Sequence, residues 1–201
     1  IPSSVYENGN PQATPLYYYE ELPSTNLTAK EIFFAESAQN RRFIVLADRQ
    51  SAGRGRRGRS FFSERGLYFS IAVPAGSFSL PAELLTTAAA AAVCRAAIQE
   101  GFDTKIKWVN DIMLDGKKVC GILAEALSES DTVLGYVVGI GVNIGKPDFP
   151  EEIADIAGAL SGGTQLKFKL FEEIRVNFFA SLNEAPQKLI SYCTEKSYVI
   201  G

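Results

Sequence analysis

The chain has 201 residues, 46% hydrophobic and 21% charged, with a formal net charge of −3. That composition suits a globular domain with a sizeable core, and it argues against a general nucleic-acid binder, which is basic overall. Histidine is absent, which excludes a Ser-His-Asp triad, a Cys-His pair and the common zinc sites. Catalysis must then use Lys, Arg, Asp, Glu, backbone amides or a phosphate-bound metal, and no protein metal site is predicted.

Cys94, Cys120 and Cys193 are odd in number and widely spaced, as reduced thiols of a cytoplasmic protein would be. No run reaches membrane-spanning length and no signal peptide is visible. The chain begins at Ile1 without Met, which reads as a missing or processed N-terminus.

Residues 1–16, rich in Pro, Ser, Asn and Gly, read as an irregular lead-in. Tyr17–Leu22 reads as a strand. A helix follows Pro23 and runs to about Gln39, with Ser24 or Thr25 as N-cap. Ser24-Thr25-Asn26 is either a cap alone or a helix N-terminus offering hydroxyls and amides to a polar ligand. Phe43–Ala47 and Leu67–Val73 are short, β-branched or aromatic, and bounded by breakers, so both read as buried strands.

Between them lies Gln50-Ser51-Ala52-Gly53-Arg54-Gly55-Arg56-Arg57-Gly58-Arg59-Ser60-Phe61-Phe62. Its glycines allow close backbone approach, and its arginines can grip carboxylate or phosphate oxygens in a planar fork. The spacing Gly53-x-Gly55-x-x-Gly58 matches the dinucleotide fingerprint in letters only. That fingerprint must open a helix and needs an acid about twenty positions on, whereas here a strand follows and Ala75-Gly76-Ser77-Phe78 supplies no acid. A basic nucleic-acid segment and a solvated surface loop remain as alternatives.

Pro81 to Gln99 reads as an Ala-rich helix with Gly101 just past its end. In Thr104–Asp111, Ile106 and Trp108 alternate with Lys105 and Lys107 as on a half-buried strand. Ile112–Leu123 carries Asp115-Gly116 between apolar runs, a tight-turn signal. Lys118 then begins the returning strand, either as an exposed lysine beside a turn or as a rigidly held cation. Thr132–Ile144 reads as a strand, and its Gly139 and Gly141 mark a place where a ligand or another backbone comes close. Asn143 is a polar strand end or an adenine-reading amide. Residues 147–163 are turn-rich. Lys169–Asn183 fits a helix with Phe171, Ile174, Phe178 and Leu182 on one face, and Pro186–Cys193 a further helical turn or two. The chain stops in what reads as a new strand, so residues 191–201 are expected to open a truncated C-terminal module, behind a main domain at 17–190.

Four segments together resemble one family: Ser24-Thr25-Asn26; Gln50 through Phe62; Lys107-Trp108-Val109-Asn110-Asp111 with Lys118-Val119-Cys120-Gly121; and Gly139 through Asn143. In this order they resemble the catalytic domain of biotin–protein ligases, also called biotin–[acetyl-CoA-carboxylase] ligases, from about Tyr17 to Leu182. The resemblance implies an α/β fold of the class II aminoacyl-tRNA synthetase type, a mixed, mostly antiparallel sheet with packed helices. It implies two steps: biotin and Mg-ATP give biotinyl-5′-AMP, and a lysine of a biotin carboxyl carrier protein then takes the biotinyl group. Ser24, Thr25, Asn26, Gln50, Gly121, Gly139 and Gly141 would line the biotin site. Arg54, Gly55 and Arg56 would close over biotin and phosphate. Lys118 would hold carboxylate and α-phosphate oxygens, with Arg54 and Arg56 as the other catalytic candidates. Arg59, Phe61, Lys107 and Asn143 would join Arg56 around ATP. Family members commonly carry Trp where this chain has Phe61, and many carry Pro where it has Val109. No helix-turn-helix segment is read in this chain, and a homodimer is admitted. A lipoate–protein ligase and a non-enzymatic nucleotide- or RNA-binding module are the alternatives.

Overall fold

The computed structural model describes residues 4–6, 14–35, 41–64 and 66–198. The backbone forms two compact units, Ile1–Ser77 with Leu123–Ile140, and Phe78–Ile122 with Gly141–Gly201.

Unit 1 is built on β1 (Ser4–Tyr6), β2 (Leu16–Leu22), β3 (Phe43–Gln50) and β4 (Gly66–Pro74), continued by its parts of β7 (Lys117–Glu129) and β8 (Thr132–Asn143). The strand order is β1-β2-β3-β4-β8-β7. Strand β2 runs parallel to β3, while β1–β2 and β3–β4 are antiparallel. Strand β1 corrects the reading of residues 1–16 as wholly irregular: Ser4, Val5 and Tyr6 pair with Tyr18, Tyr17 and Leu16. Three residues are too few for a periodic signal, and only the open edge of β2 makes them a strand. Parallel β2 and β3 need a crossover, which α1 (Thr25–Ala35) supplies. The helix buries Ala29, Ile32 and Phe33 in a core with Tyr17, Phe43, Val45, Ala72 and Val137. The expected end of that helix at Gln39 lies outside the described residues. A Cβ on Gly135 would lie 2.9 Å from both Phe33 Cζ and the Val73 carbonyl oxygen, so the helix ring approaches the sheet only because β8 carries glycine there.

In unit 2 the order is β8-β7-β6-β5, with β5 at Lys105–Lys107 and β6 at Asp111–Leu114. Helix α2 (Leu85–Gln99) lies against β5 and β6 and receives α3 (Thr164–Ser181) and α4 (Pro186–Glu195). Its run Ala88–Ala92 is wholly buried, as small side chains at a close helix contact should be. Gly101 adopts φ +91° and ends α2 in a Schellman cap, its N–H donating to the Ile98 carbonyl and that of Phe102 to the Ala97 carbonyl. Arg95 of α2 pairs with Glu184 and stacks 4.5 Å above the Tyr192 ring.

Three expectations shift. The α-helix begins at Leu85 because Ala82–Leu84 form a 3₁₀ turn, with Leu84 N–H donating to the Pro81 carbonyl. Helix α3 begins at Thr164, since the Gly162-Gly163 pair precedes it and its first turn is too polar to show an apolar stripe. Trp108 is 64% exposed, because β5 stops at Lys107 and alternation has no meaning past a strand's end. Leu189 and Cys193 of α4 are buried, and the segment after it pairs with β5, Ile106 N–H donating to the Lys196 carbonyl and Tyr198 N–H to the Ile106 carbonyl. Of the strand read at the C-terminus, residues 199–201 lie outside the described residues. Among the described residues no helix is long and apolar enough to cross a membrane.

Phe178 is fully buried on α3, on the helix that packs against the alanine face of α2. Phe178→Ala should therefore lower the unfolding free energy by about 3–5 kcal/mol. Urea denaturation checks this, and a loss below about 1 kcal/mol would mean that the α2–α3 contact does not hold unit 2 together.

Candidate active site

In unit 1 the expected ligand residues converge on a buried polar cluster. Ser24, Thr25 and Asn26 are 2%, 4% and 4% exposed. The Ser24 carbonyl accepts from Thr28 N–H as the helix starts. Thr25 is the first residue of α1 and not its cap. Its backbone N–H donates to Gln50 Oε1 at 2.8 Å, and its hydroxyl lies 3.1 Å from the same oxygen. Gln50 Nε2 donates to Ser63 Oγ at 3.0 Å, and that hydroxyl donates to the Phe61 carbonyl. Ser70 Oγ is 2.7 Å from Thr25 Oγ1 and 2.6 Å from Asn26 Oδ1. Asn26 Nδ2 donates to Glu125 Oε2 at 2.7 Å and to the Leu123 carbonyl at 3.2 Å. Gly139 faces this amide: a Cβ there would sit 2.2 Å from Asn26 Oδ1.

The arginine loop has internal structure. Arg54 and Ser60 form an antiparallel bridge, closed by Gly55 N–H to the Arg59 carbonyl at 2.7 Å and Phe61 N–H to the Gly53 carbonyl at 2.8 Å. At its tip Arg56–Gly58 make a 3₁₀ turn, with Gly58 at φ +74°. Arg54, Arg56 and Arg59 are exposed. Gly53 is buried, and a Cβ on it would meet the Phe61 carbonyl oxygen at 2.5 Å and Ser63 Oγ at 2.6 Å. Phe61 packs edge-on to Tyr68.

In unit 2 the hairpin turn is as expected: Asp115 and Gly116 both take positive φ, +50° and +79°, the type I′ geometry. In register, Asp111 lies between Lys107 of β5 and Gly121 of β7. A bulge then intervenes, since Ile112 faces Cys120 but Met113 faces Lys118. The extra residue turns Lys118 onto the face of Asp111, where its Nζ pairs with Asp111 Oδ1 at 2.7 Å. Asn110 Nδ2 donates to the same carboxylate oxygen at 3.1 Å. Gly121, without a side chain, leaves that face open.

Residues 156–160, read from sequence as part of a turn-rich stretch, tie two candidates together. Lys118 N–H donates to the Ile156 carbonyl and Gly158 N–H to the Lys118 carbonyl, each at 2.8 Å. The Gly158 carbonyl accepts from Asn143 Nδ2 at 2.9 Å, and Leu160 N–H donates to the Asn143 carbonyl. Asn143 is 5% exposed and its Oδ1 accepts no hydrogen bond from any described residue, so the amide offers a buried acceptor. Gly141 is buried one turn of the pleat before it. Burial pushes the Cys120 thiol far above its ordinary range, and that of Cys193 up to about 11, so neither is a nucleophile.

Sequence reading missed Ser63, Ser70, Glu125, Lys30 and the part played by Asp111. Ser70 did leave a signal, a lone hydroxyl in the apolar run Leu67–Val73. Asp111 stood in a motif already noted. Glu125 and Lys30 left none.

The model of the biotin/lipoate A/B protein ligase family matches residues 18–143. The chain is 40% identical over 152 residues to the bifunctional ligase/repressor BirA of Bacillus subtilis, an alignment covering 73% of this chain and 46% of that protein. It is 41% identical over 109 residues to the biotin–[acetyl-CoA-carboxylase] ligase of Paracoccus denitrificans, covering 52% of this chain and 45% of that protein. The chain thus spans about half the length of these relatives. Among solved structures, the biotin protein ligase from Aquifex aeolicus in complex with biotin and ATP superposes with a TM-score of 0.70 at 26% identity, over 92% of this chain and 79% of that one. The biotin protein ligase of Leishmania major in complex with biotinyl-5-AMP gives 0.74 at 23%, over 91% and 81%. The fold is accordingly of the class II aminoacyl-tRNA synthetase type. On the motif segments, the architecture and the span of the match, the chain belongs to the biotin/lipoate A/B protein ligase family.

Proposed function

We propose that this chain is a biotin–protein ligase catalytic domain. It activates biotin with Mg-ATP to biotinyl-5′-AMP and pyrophosphate, then passes the biotinyl group to a lysine of a biotin carboxyl carrier protein and releases AMP. The position of Lys118 carries this reading: a bulge aims it, a type I′ turn and the 156–160 segment hold its backbone, and Asp111 orients its ammonium. A carboxylate is ionised at neutral pH, so its attack on the α-phosphate requires no general base and the lack of histidine is no obstacle. The attack requires two anions to be brought together and the developing charge to be neutralised. Lys118 and Lys107 supply positive charge on one face of the β5–β6–β7 ladder, and Arg54, Arg56 and Arg59 supply it on the loop.

Asn143 Oδ1, an acceptor without a donor among the described residues, suits the exocyclic amine of adenine. Mg²⁺ enters with ATP as substrate. Such an ion is held chiefly by the phosphates and water. The Aquifex aeolicus protein, solved with biotin and ATP, and the ligases of Bacillus subtilis and Paracoccus denitrificans support the same assignment. Three buried free thiols fit a reducing cytoplasm.

The deciding experiment is ATP–pyrophosphate exchange with biotin or lipoate as the acid. Exchange should depend on biotin, and exchange with lipoate alone would reassign the substrate within the family.

Lys118→Ala should cut biotin-dependent exchange by about 30- to 1000-fold, the effect of removing about 2–4 kcal/mol of transition-state stabilisation, with biotin binding less affected. Because the change leaves Asp111 unpaired, rates should be compared at equal folded fraction. Near-normal exchange would remove Lys118 from the chemistry.

Arg56→Gly removes a cation from the loop tip, a contact to phosphate worth roughly 1.5–3 kcal/mol, and adds backbone freedom. Biotinyl-AMP should then escape about ten- to a hundredfold faster and label bystander proteins such as albumin. Normal adenylate formation with unlabelled bystanders would show that Arg56 does not retain the intermediate.

A further inference from the structure

We propose that Glu125 is a positioning residue that sets the hydrogen-bond polarity of the Thr25–Asn26–Gln50 cluster, so that Thr25 Oγ1 presents an acceptor and favours a ring bearing an N–H donor, a cyclic urea over a dithiolane. This rests on the reading of that cluster as the ligand site.

The polarity follows by elimination. A carboxylate and a backbone carbonyl only accept. Asn26 therefore turns its amino group toward Glu125 Oε2 and the Leu123 carbonyl, and its Oδ1 toward Ser70. Oδ1 also only accepts, so the single Ser70 O–H proton is committed to it. The 2.7 Å contact between Ser70 Oγ and Thr25 Oγ1 needs a proton too, and only Thr25 can supply it. Thr25 then has no proton for Gln50 Oε1, 3.1 Å away, which is instead satisfied by the Thr25 backbone N–H. The Gln50 amide cannot flip to relieve this, because the Thr25 backbone N–H needs an acceptor there and the Ser63 proton is committed to the Phe61 carbonyl. Thr25 Oγ1 is left with lone pairs that no described residue donates to, facing another acceptor. A ligand N–H fits there, and a second acceptor does not.

The carboxylate of Glu125 bonds to Asn26 and Lys30. It acts through Asn26, and its other oxygen is held by Lys30 Nζ at 2.5 Å. Both members of that ion pair are about a quarter exposed, at 27% and 28%, so the pair anchors the buried chain from its rim. Gly139 lets the Asn26 amide lie in the required plane, since any side chain there would occupy the position of Oδ1.

The test is ATP–pyrophosphate exchange on the whole chain, with KM for biotin and for ATP measured separately in Glu125→Ala, Glu125→Gln and Lys30→Ala. Glu125→Ala should raise the biotin KM about tenfold or more, the loss of a charge-assisted hydrogen bond, while the ATP KM stays within about twofold and the preference for biotin over lipoate narrows. Glu125→Gln keeps an oxygen that can accept from Asn26 and should recover the biotin KM to within about threefold. An unmoved biotin KM in Glu125→Ala, a parallel rise in both KM values, or a Gln variant no better than Ala would each overturn the inference. Should Glu125→Ala fail to fold, Lys30→Ala decides: a rise confined to the biotin KM supports the relay, and no rise overturns it. Absence of biotin-dependent exchange in the unsubstituted chain overturns the ligase reading and this inference together. Exchange in that chain with an unmoved biotin KM in the variants overturns this inference alone.

Discussion

Among Gln50, Thr25, Ser70 and Asn26 there are three close oxygen–oxygen contacts and only two hydroxyl protons. The interior of unit 1 is arranged around that shortage. A buried polar group left unpaired costs about 1–3 kcal/mol, so the cluster must have one proton order and fixed ends to impose it. One end is the Glu125 carboxylate with the Leu123 carbonyl, and the other is Ser63, whose hydroxyl is itself committed to the Phe61 carbonyl. The glycines follow from the same demand. Gly139 makes room for Asn26, and Gly53 makes room for Phe61, Ser63 and Gln50. The arginine loop therefore leaves β3 from a position set by the hydrogen bonds of Gln50.

Unit 2 solves the corresponding problem for charge. Lys118 is only 34% exposed at its side chain, and a partly buried ammonium needs a counter-ion and further hydrogen bonds. Asp111 provides the counter-ion, itself held by Asn110 Nδ2, and it can do so only because the bulge at Val119 reverses the side on which Lys118 emerges. Segment 156–160 then braces Lys118 and Asn143 through their backbones. On the proposed reading, the cation is thereby held in place before either anion arrives, which would remove a reorganisation cost from the reaction.

Some of this is written locally in the chain and some is not. Asp115-Gly116 demands a turn with positive φ at both positions, Gly101 a left-handed helix end, and Phe171, Ile174 and Phe178 a helix with one buried face, each within a few residues. The four motif segments, read in order, were enough to indicate the family. Trp108 misled because its alternation with Lys107 ran past the end of β5. The short β1 was invisible because pairing with β2, and not its own sequence, makes it a strand.

The sequence by itself determined the buried strands β3 and β4, the hairpin carrying Lys118, and the residue types available for binding anions. Only the tertiary structure decided which partners those residues have. Asn26 meets Glu125 across 99 positions of chain and Ser70 across 44, and a bulge decides that Lys118 faces Asp111. The physical reason is that dihedral preference and periodicity are properties of a few consecutive residues. Proton order and ion pairing belong to whichever atoms folding brings within hydrogen-bonding distance.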